Sequence, residues 1–173
     1  MSEVKRIISD LKKEMPDPKI GLGDELFRFV SSCTPMVNVD LLIINKKKEF
    51  LLTWRHDEFY GPAWHIPGGI IRFRETISDR VKKVALTELG CEVNDDIKFI
   101  DFQQLFAKNR DIRGHFISFL FSCSIKQDPI ENLKYQSMNE INNGQWKWHK
   151  KIPSNFLDNQ KNFCEKINAF IQQ

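Results

Sequence analysis

Residues 64–90 read WHIPGGIIRFRETISDRVKKVALTELG, and the fold turns on this stretch. The adjacent Gly68 and Gly69 lack Cβ atoms, so the chain there tolerates a tight turn and close approach by a ligand. Beyond them Ile77, Val81, Val84, Ala85 and Leu89 recur at three- and four-residue intervals, which predicts an amphipathic helix over 75–89, stopped by Gly90. Glu88 lies four residues beyond Val84 and seven beyond Val81, so it falls on the apolar arc of that helix. A carboxylate on this face needs a positive partner, either a basic side chain or a metal ion. A turn carbonyl and a helix carboxylate together offer the oxygen donors that Mg²⁺ takes while it also binds substrate phosphates. On spacing alone, a structural salt bridge or a place at the helix edge accounts for Glu88 better than a metal does.

Working outward, Met36–Ile44 is a strand-like run rich in β-branched residues, and Glu49–Trp54 is expected to be its antiparallel partner across the Lys46–Lys48 turn. Asp40 interrupts the first run, and strand alternation allows it to point simply to solvent. The segment from His56 to Glu75 carries Gly61, Pro62, Pro67, Gly68 and Gly69 and is expected to be a structured loop. Further strands are expected over Ile97–Phe106, His115–Cys123 and Trp146–Trp148, with a polar turn at Lys108–Asp111 and a closing helix over Phe156–Ile171. A short helix over Val4–Met15 is stopped by Pro16 and Pro18. This order predicts an α/β fold of the α+β kind: a mixed or antiparallel sheet flanked by helices, with residues 1–30 as a helical extension and 31–173 as one domain.

Composition narrows the function. The 26 basic residues against 23 acidic ones give a net charge of only +3, too little and too dispersed for a nucleic-acid binder. No apolar run approaches the roughly 20 residues of a membrane span, and the amino terminus has no signal-like stretch, so a cytoplasmic protein is expected. Cys33, Cys91, Cys123 and Cys164 are scattered without CxxC spacing, which supports neither a disulfide framework nor a zinc site.

The segment GGIIRFRETISDRVKKVALTELG resembles the signature of the Nudix hydrolases: Gly, five residues, Glu, seven residues, Arg-Glu, an aliphatic residue, any residue, Glu-Glu, any residue, Gly. Gly69, Glu75, Glu88 and Gly90 stand at the matching separations, with Ala85 near the aliphatic position. Lys83, Val84 and Thr87 depart from the pattern, where the family has Arg, Glu and Glu. The loss of the central Glu at Val84, the Thr34-Pro35 pair before a strand containing Asp40, and Arg55 upstream of Gly61, Trp64 and Pro67-Gly68-Gly69 are similar to the GDP-mannose mannosyl hydrolase branch.

That resemblance implies an α/β/α sandwich and a Mg²⁺-dependent enzyme, with Mn²⁺ as a substitute. It would hydrolyse a nucleoside diphosphate sugar by water attack at the anomeric carbon. It implies Gly68 (through its carbonyl), Glu88 and Asn142 as metal ligands, Arg55 at the leaving diphosphate, and Lys83 in place of an arginine. The branch's general base falls at Asn143, which has no basic ring nitrogen, so Asp40, His115 or Glu140 would take that role. Ile70 and Phe116 stand where the branch has an arginine and a tyrosine. A homodimer is implied by the same analogy. Two further readings stay open: phosphorus–oxygen cleavage of another nucleoside diphosphate derivative, and a nucleotide-sugar binding protein with weakened catalysis.

Overall fold

The computed structural model describes residues 2–107, 109–136 and 140–172. Of the expected polar turn, Lys108 lies outside the described residues. Helix α1 (Glu3–Glu14) starts at Ser2, whose hydroxyl accepts the Lys5 N–H, and stops just before Pro16. None of its residues is buried. A second helix, α2 (Asp24–Cys33), was not expected from the apolar spacing; Gly23 precedes it at φ 74°, and the negative charges of Asp24 and Glu25 complement the positive amino-terminal end of its dipole.

Seven strands complete the sheets: β1 (Met36–Ile43), β2 (Phe50–Arg55), β3 (Ala63–His65), β4 (Gly68–Ile70), β5 (Lys98–Phe106), β6 (His115–Cys123) and β7 (Trp146–His149). They form a four-stranded sheet in the order β4-β1-β6-β5 and a three-stranded sheet in the order β3-β2-β7. The first is mixed, because β1 runs parallel to β6 from Met36↔Phe116 to Ile43↔Cys123 and antiparallel to β4.

The expected β1–β2 hairpin is corrected. The lysine turn forms, with Asn45 N–H donating to the Glu49 carbonyl, but beyond one bridge at Ile44↔Phe50 the strands part into different sheets. Both edges of β1 are already taken by β4 and β6, which leaves β2 to pair with β3 and β7. The segment expected to be an irregular loop contributes two of these strands, β3 and β4.

Alternation along β1 divides the core. Val39, Leu41 and Ile43 pack with Val81, Val84, Ala85 and Leu89 of the helical region after β4. Leu42 faces the other way, with Phe50, Leu52, Trp64, Phe163 and Ile167. The helix expected over 75–89 begins two residues later, as α3 (Ile77–Val84), because the Thr76 hydroxyl caps it by accepting the Asp79 N–H. It then widens into a π-helical turn over Ala85–Leu89, closed by Gly90 at φ 62°. The closing helix likewise divides into a 3₁₀ segment, Asp158–Phe163, and α4 (Cys164–Gln172). Among the described residues, no helix is long and apolar enough to cross a membrane.

Candidate active site

A cavity of about 1030 Å³ opens where β1, β4, the π-turn and the segment after β2 meet. The glycine pair shapes one wall. A Cβ at Gly68 would lie 2.8 Å from the Val39 carbonyl oxygen and closer still to Asp40 Oδ1, and one at Gly69 would lie 2.8 Å from Val84 Cγ2. Any larger residue here would push β4 off β1 or off the helix.

Asp40 is buried on this wall. Its Oδ1 accepts from Asn38 Nδ2 and Gln160 Nε2, each at 3.0 Å, and its Oδ2 accepts the Ser118 hydroxyl. Burial outweighs these hydrogen bonds and pushes the carboxyl up to about 6. Of the two orientations open to Asp40, the inward one is realised.

Glu88 lies in the π-turn. The extra residue of such a turn changes the register of the positions beyond it, and here Leu89 is fully buried while Glu88 is half-buried and lines the cavity. Burial pushes Glu88 up to about 8, and the charge of Asp40 acts in the same direction, against the Gly68 N–H and Arg55. Position 84, where the signature places a carboxylate, is filled by a buried valine that packs beneath Gly69. Glu75 is occupied elsewhere. Burial would raise it, but the Arg72 N–H at 2.9 Å and Arg80 Nε at 2.7 Å hold it below the usual carboxylate range.

Opposite these carboxylates, Arg55 reaches the cavity from the end of β2. Its Nε donates to Asp57 Oδ2 at 2.5 Å and its guanidinium lies 4.4 Å from the centre of the Tyr60 ring. Asp57 also accepts the N–H groups of Phe59 and Tyr60, which fixes the loop that carries both aromatic residues. His65 is buried beside Thr53, with Nε2 and Oγ1 2.9 Å apart. Burial and then the charge of Arg55 lower it to about 4, so the ring is neutral at pH 7.

The other expected site residues are distributed unevenly. Asn143 lines the cavity, and its Oδ1 accepts the His56 N–H at 3.1 Å, tying the two loops together. Asn142 is exposed and does not line it; its N–H donates to Gln145 Oε1. Glu140 is exposed and does not line it either. Lys83 points away, with Nζ 3.8 Å from Glu75 Oε1. His115 stacks on Phe106 at 4.4 Å and borders a separate depression with Cys33 and Pro35. The structure therefore brings together Asp40, Arg55, Gly68, Glu88 and Asn143, and leaves Lys83, His115, Glu140 and Asn142 outside the wall. Sequence reasoning missed Gln160, Ser118 and Arg113. Nothing local marks a glutamine in the closing segment or a serine on β6 as partners of Asp40.

A divalent cation suits the carboxylate end. Two desolvated carboxylates, of which Asp40 raises Glu88, are relieved by a cation, and their hard oxygens match Mg²⁺. The strand register adds a third donor. Pro67 O and Ile71 N–H bond to β1, so Gly68, between them in the alternation, turns its own N–H and C=O to the free edge of the sheet. Among the described residues, no group of three or more His, Cys, Asp or Glu side chains is placed to hold a metal, so such a cation would draw its remaining ligands from the backbone, substrate or water.

The mixed sheet, the glycine turn and the signature helix define a Nudix fold, and the NUDIX domain family matches residues 34–161. The chain belongs to the Nudix hydrolase family. It is 27% identical over 128 residues to the low-salt glycan biosynthesis protein Agl8 of Haloferax volcanii, spanning 72% of this chain and 81% of that one. Among solved structures it resembles the MutT NUDIX hydrolase of Burkholderia pseudomallei, with a TM-score of 0.60 and 16% identity over 77% of this chain and 98% of that one. It also resembles the NUDIX domain of Shewanella oneidensis NrtR complexed with ADP ribose, with a TM-score of 0.56 and 14% identity over 99% of both chains. At such identities the structural matches speak for the fold alone.

Proposed function

We propose that the protein is a Mg²⁺-dependent hydrolase of a nucleoside diphosphate sugar of the GDP-mannose kind, releasing the free sugar and the nucleoside diphosphate. The observation that carries this reading is the pairing of one signature carboxylate, Glu88, with Asp40 and Arg55 around a single cavity, while position 84 is given over to packing. The likeness to Agl8, a glycan biosynthesis protein, supports a sugar-bearing substrate.

In this reading Glu88 and the Gly68 carbonyl would hold the metal, Mg²⁺ or Mn²⁺. When bound, the ion stabilises negative charge on the diphosphate. Arg55, steadied by Asp57 and the Tyr60 face, meets the same charge from the opposite side. Asp40 is the general base in place of Asn143: its carboxyl, at about 6, is largely ionised at pH 7 and retains useful basicity. A water gives its proton to Asp40 and its oxygen to the anomeric carbon. The bond from that carbon to the bridging oxygen breaks, and the diphosphate leaves with the electron pair. Asn143 orients the loop through His56 rather than moving a proton.

The chain is further read as a homodimer, which the exposed Val4, Ile7, Ile8 and Leu11 of α1 and Phe99, Phe102 and Phe106 of β5 support. Turnover in isotopically labelled water tests the chemistry. Label in the free sugar is expected, label in phosphate identifies phosphorus–oxygen cleavage, and tight binding without turnover across Mg²⁺ and Mn²⁺ identifies a binding protein.

A further inference from the structure

Arg113 enters the same cavity from the turn before β6, outside every position that the signature marks. Its backbone is in the left-handed region at φ 54°, which an arginine adopts reluctantly and a neighbouring glycine would adopt freely. Its guanidinium is packed among aromatic rings, 4.8 Å from the centre of Phe59, 5.5 Å from Phe27 and 5.9 Å from Tyr60. Its Nε is buried without a hydrogen-bond partner among the described residues. Arg110 approaches the same Tyr60 ring at 4.5 Å, so with Arg55 three guanidiniums surround one tyrosine.

The counter-charge in this region is already taken. Asp57 pairs with Arg55, and both Asp24 and Glu58 pair with Arg28. Among the described residues, no carboxylate forms an ion pair with Arg110 or Arg113. The aromatic faces favour the guanidinium charge but accept no hydrogen bond from its plane, so the buried Nε–H still lacks an acceptor. An arginine that lines a cavity with a donor left unpartnered suits a planar or tetrahedral oxyanion.

We infer that Arg113 forms a second anion subsite, so that the substrate carries a carboxylate or phosphate in addition to its diphosphate. The inference rests on the nucleotide-sugar reading and narrows it away from GDP-mannose itself, whose hexose is neutral and whose ribose carries no further phosphate. The extra charge belongs either to the sugar, as in a hexuronic acid, or to the ribose, as in a nucleotide with an additional phosphate.

Calorimetric titration of the full chain with Mg²⁺ tests it, using three probes: a nucleoside diphosphate hexose, the matching hexuronic acid, and the nucleoside diphosphate bearing a ribose phosphate. One of the two charged probes is expected to bind at least about tenfold more tightly than the neutral one, and which one identifies the source of the charge. Arg113→Gln removes that preference and leaves the neutral probe within about twofold; Arg113→Lys keeps part of it. Equal affinity of the unaltered chain for all three overturns the inference and leaves the nucleotide-sugar reading standing. Failure to bind any of them overturns both. Equal loss of all three in Arg113→Gln assigns the residue to the diphosphate and overturns a separate subsite. If that variant does not fold, the preference of the unaltered chain decides alone.

Discussion

Gln160 holds Asp40 across 120 positions of sequence: its Nε2 donates to Asp40 Oδ1 at 3.0 Å while its Oε1 accepts the Ile66 N–H at 2.8 Å. One amide therefore fixes both the carboxylate at the cavity wall and the strand connection that leads into the glycine turn. Gln160→Leu leaves the buried Ile66 N–H without a partner, so it is expected to lose about 2 to 3 kcal/mol in urea unfolding. A loss below about 0.5 kcal/mol would show that the amide contributes little.

Glu88→Gln removes the one signature carboxylate that faces the cavity. Metal-dependent turnover is expected to fall at least about a hundredfold, as when a charge-stabilising group is deleted from an active site. Turnover that matches the unaltered chain at limiting Mg²⁺ would take Glu88 out of the metal site.

Gly69 and Val84 share one space. Gly69→Ala drives a Cβ to within 2.8 Å of Val84 Cγ2 and is expected to cost about 1 to 3 kcal/mol through overpacking. In Gly69→Ala/Val84→Ala the loss is expected to be smaller than the sum of the two single losses by more than about 0.5 kcal/mol. Strict additivity would mean that the clash is relieved elsewhere.

Two histidines make the fold sensitive to acid. Burial lowers His149 to about 4, and its Nε2 is buried without a hydrogen-bond partner among the described residues. The unfolded imidazole, with a pKa near 6.5, binds a proton that the folded one rejects between about pH 6.5 and 4, so this contribution to stability is lost as the pH falls through that window. His149→Phe keeps the packing against Trp64 and Phe50 and is expected to gain about 1 kcal/mol relative to the unaltered chain at pH 5, allowing for partial solvent contact of the ring. Parallel unfolding profiles from pH 7 to 4.5 would count against it.

Asn143→His places an imidazole on the cavity wall. Where the missing imidazole is the only defect and Asp40 replaces it incompletely, turnover is expected to rise by about tenfold or more, toward the range of general-base catalysis, despite the loss of the tie to the His56 N–H. A rise would show that a base at this position can still be used, and a fall would give more weight to the loop tie.

The sequence was most legible where period and chemistry coincide. A run rich in β-branched residues located β1, alternation of tryptophans located β7, and the 3.6-residue period located the helix after the glycine turn. The odd placement of Glu88 led to the cavity. Pairing was harder to read, because a short lysine turn implies a hairpin locally while the competition for the edges of β1 is settled by strands far away in sequence. Gln160, Ser118 and Arg113 were invisible for the same reason: their significance lies in what the folded chain sets beside them. Lys83 and His115 have suitable chemistry at suitable positions, and only their orientation removes them from the wall.

The π-turn has a consequence for insertions and deletions. It accommodates one residue more than an α-turn, and Leu86 in it is largely exposed. Deleting Leu86 would let an ordinary helix run through to Gly90, with Leu89 taking the place four residues after Val84 and filling the apolar arc. Leu89 already fills that arc, and Glu88 is one residue before it with or without the extra residue, so the carboxylate would keep its direction. The core would close with less backbone distortion, and a one-residue shortening that favours the helix would leave it as a wall of the site.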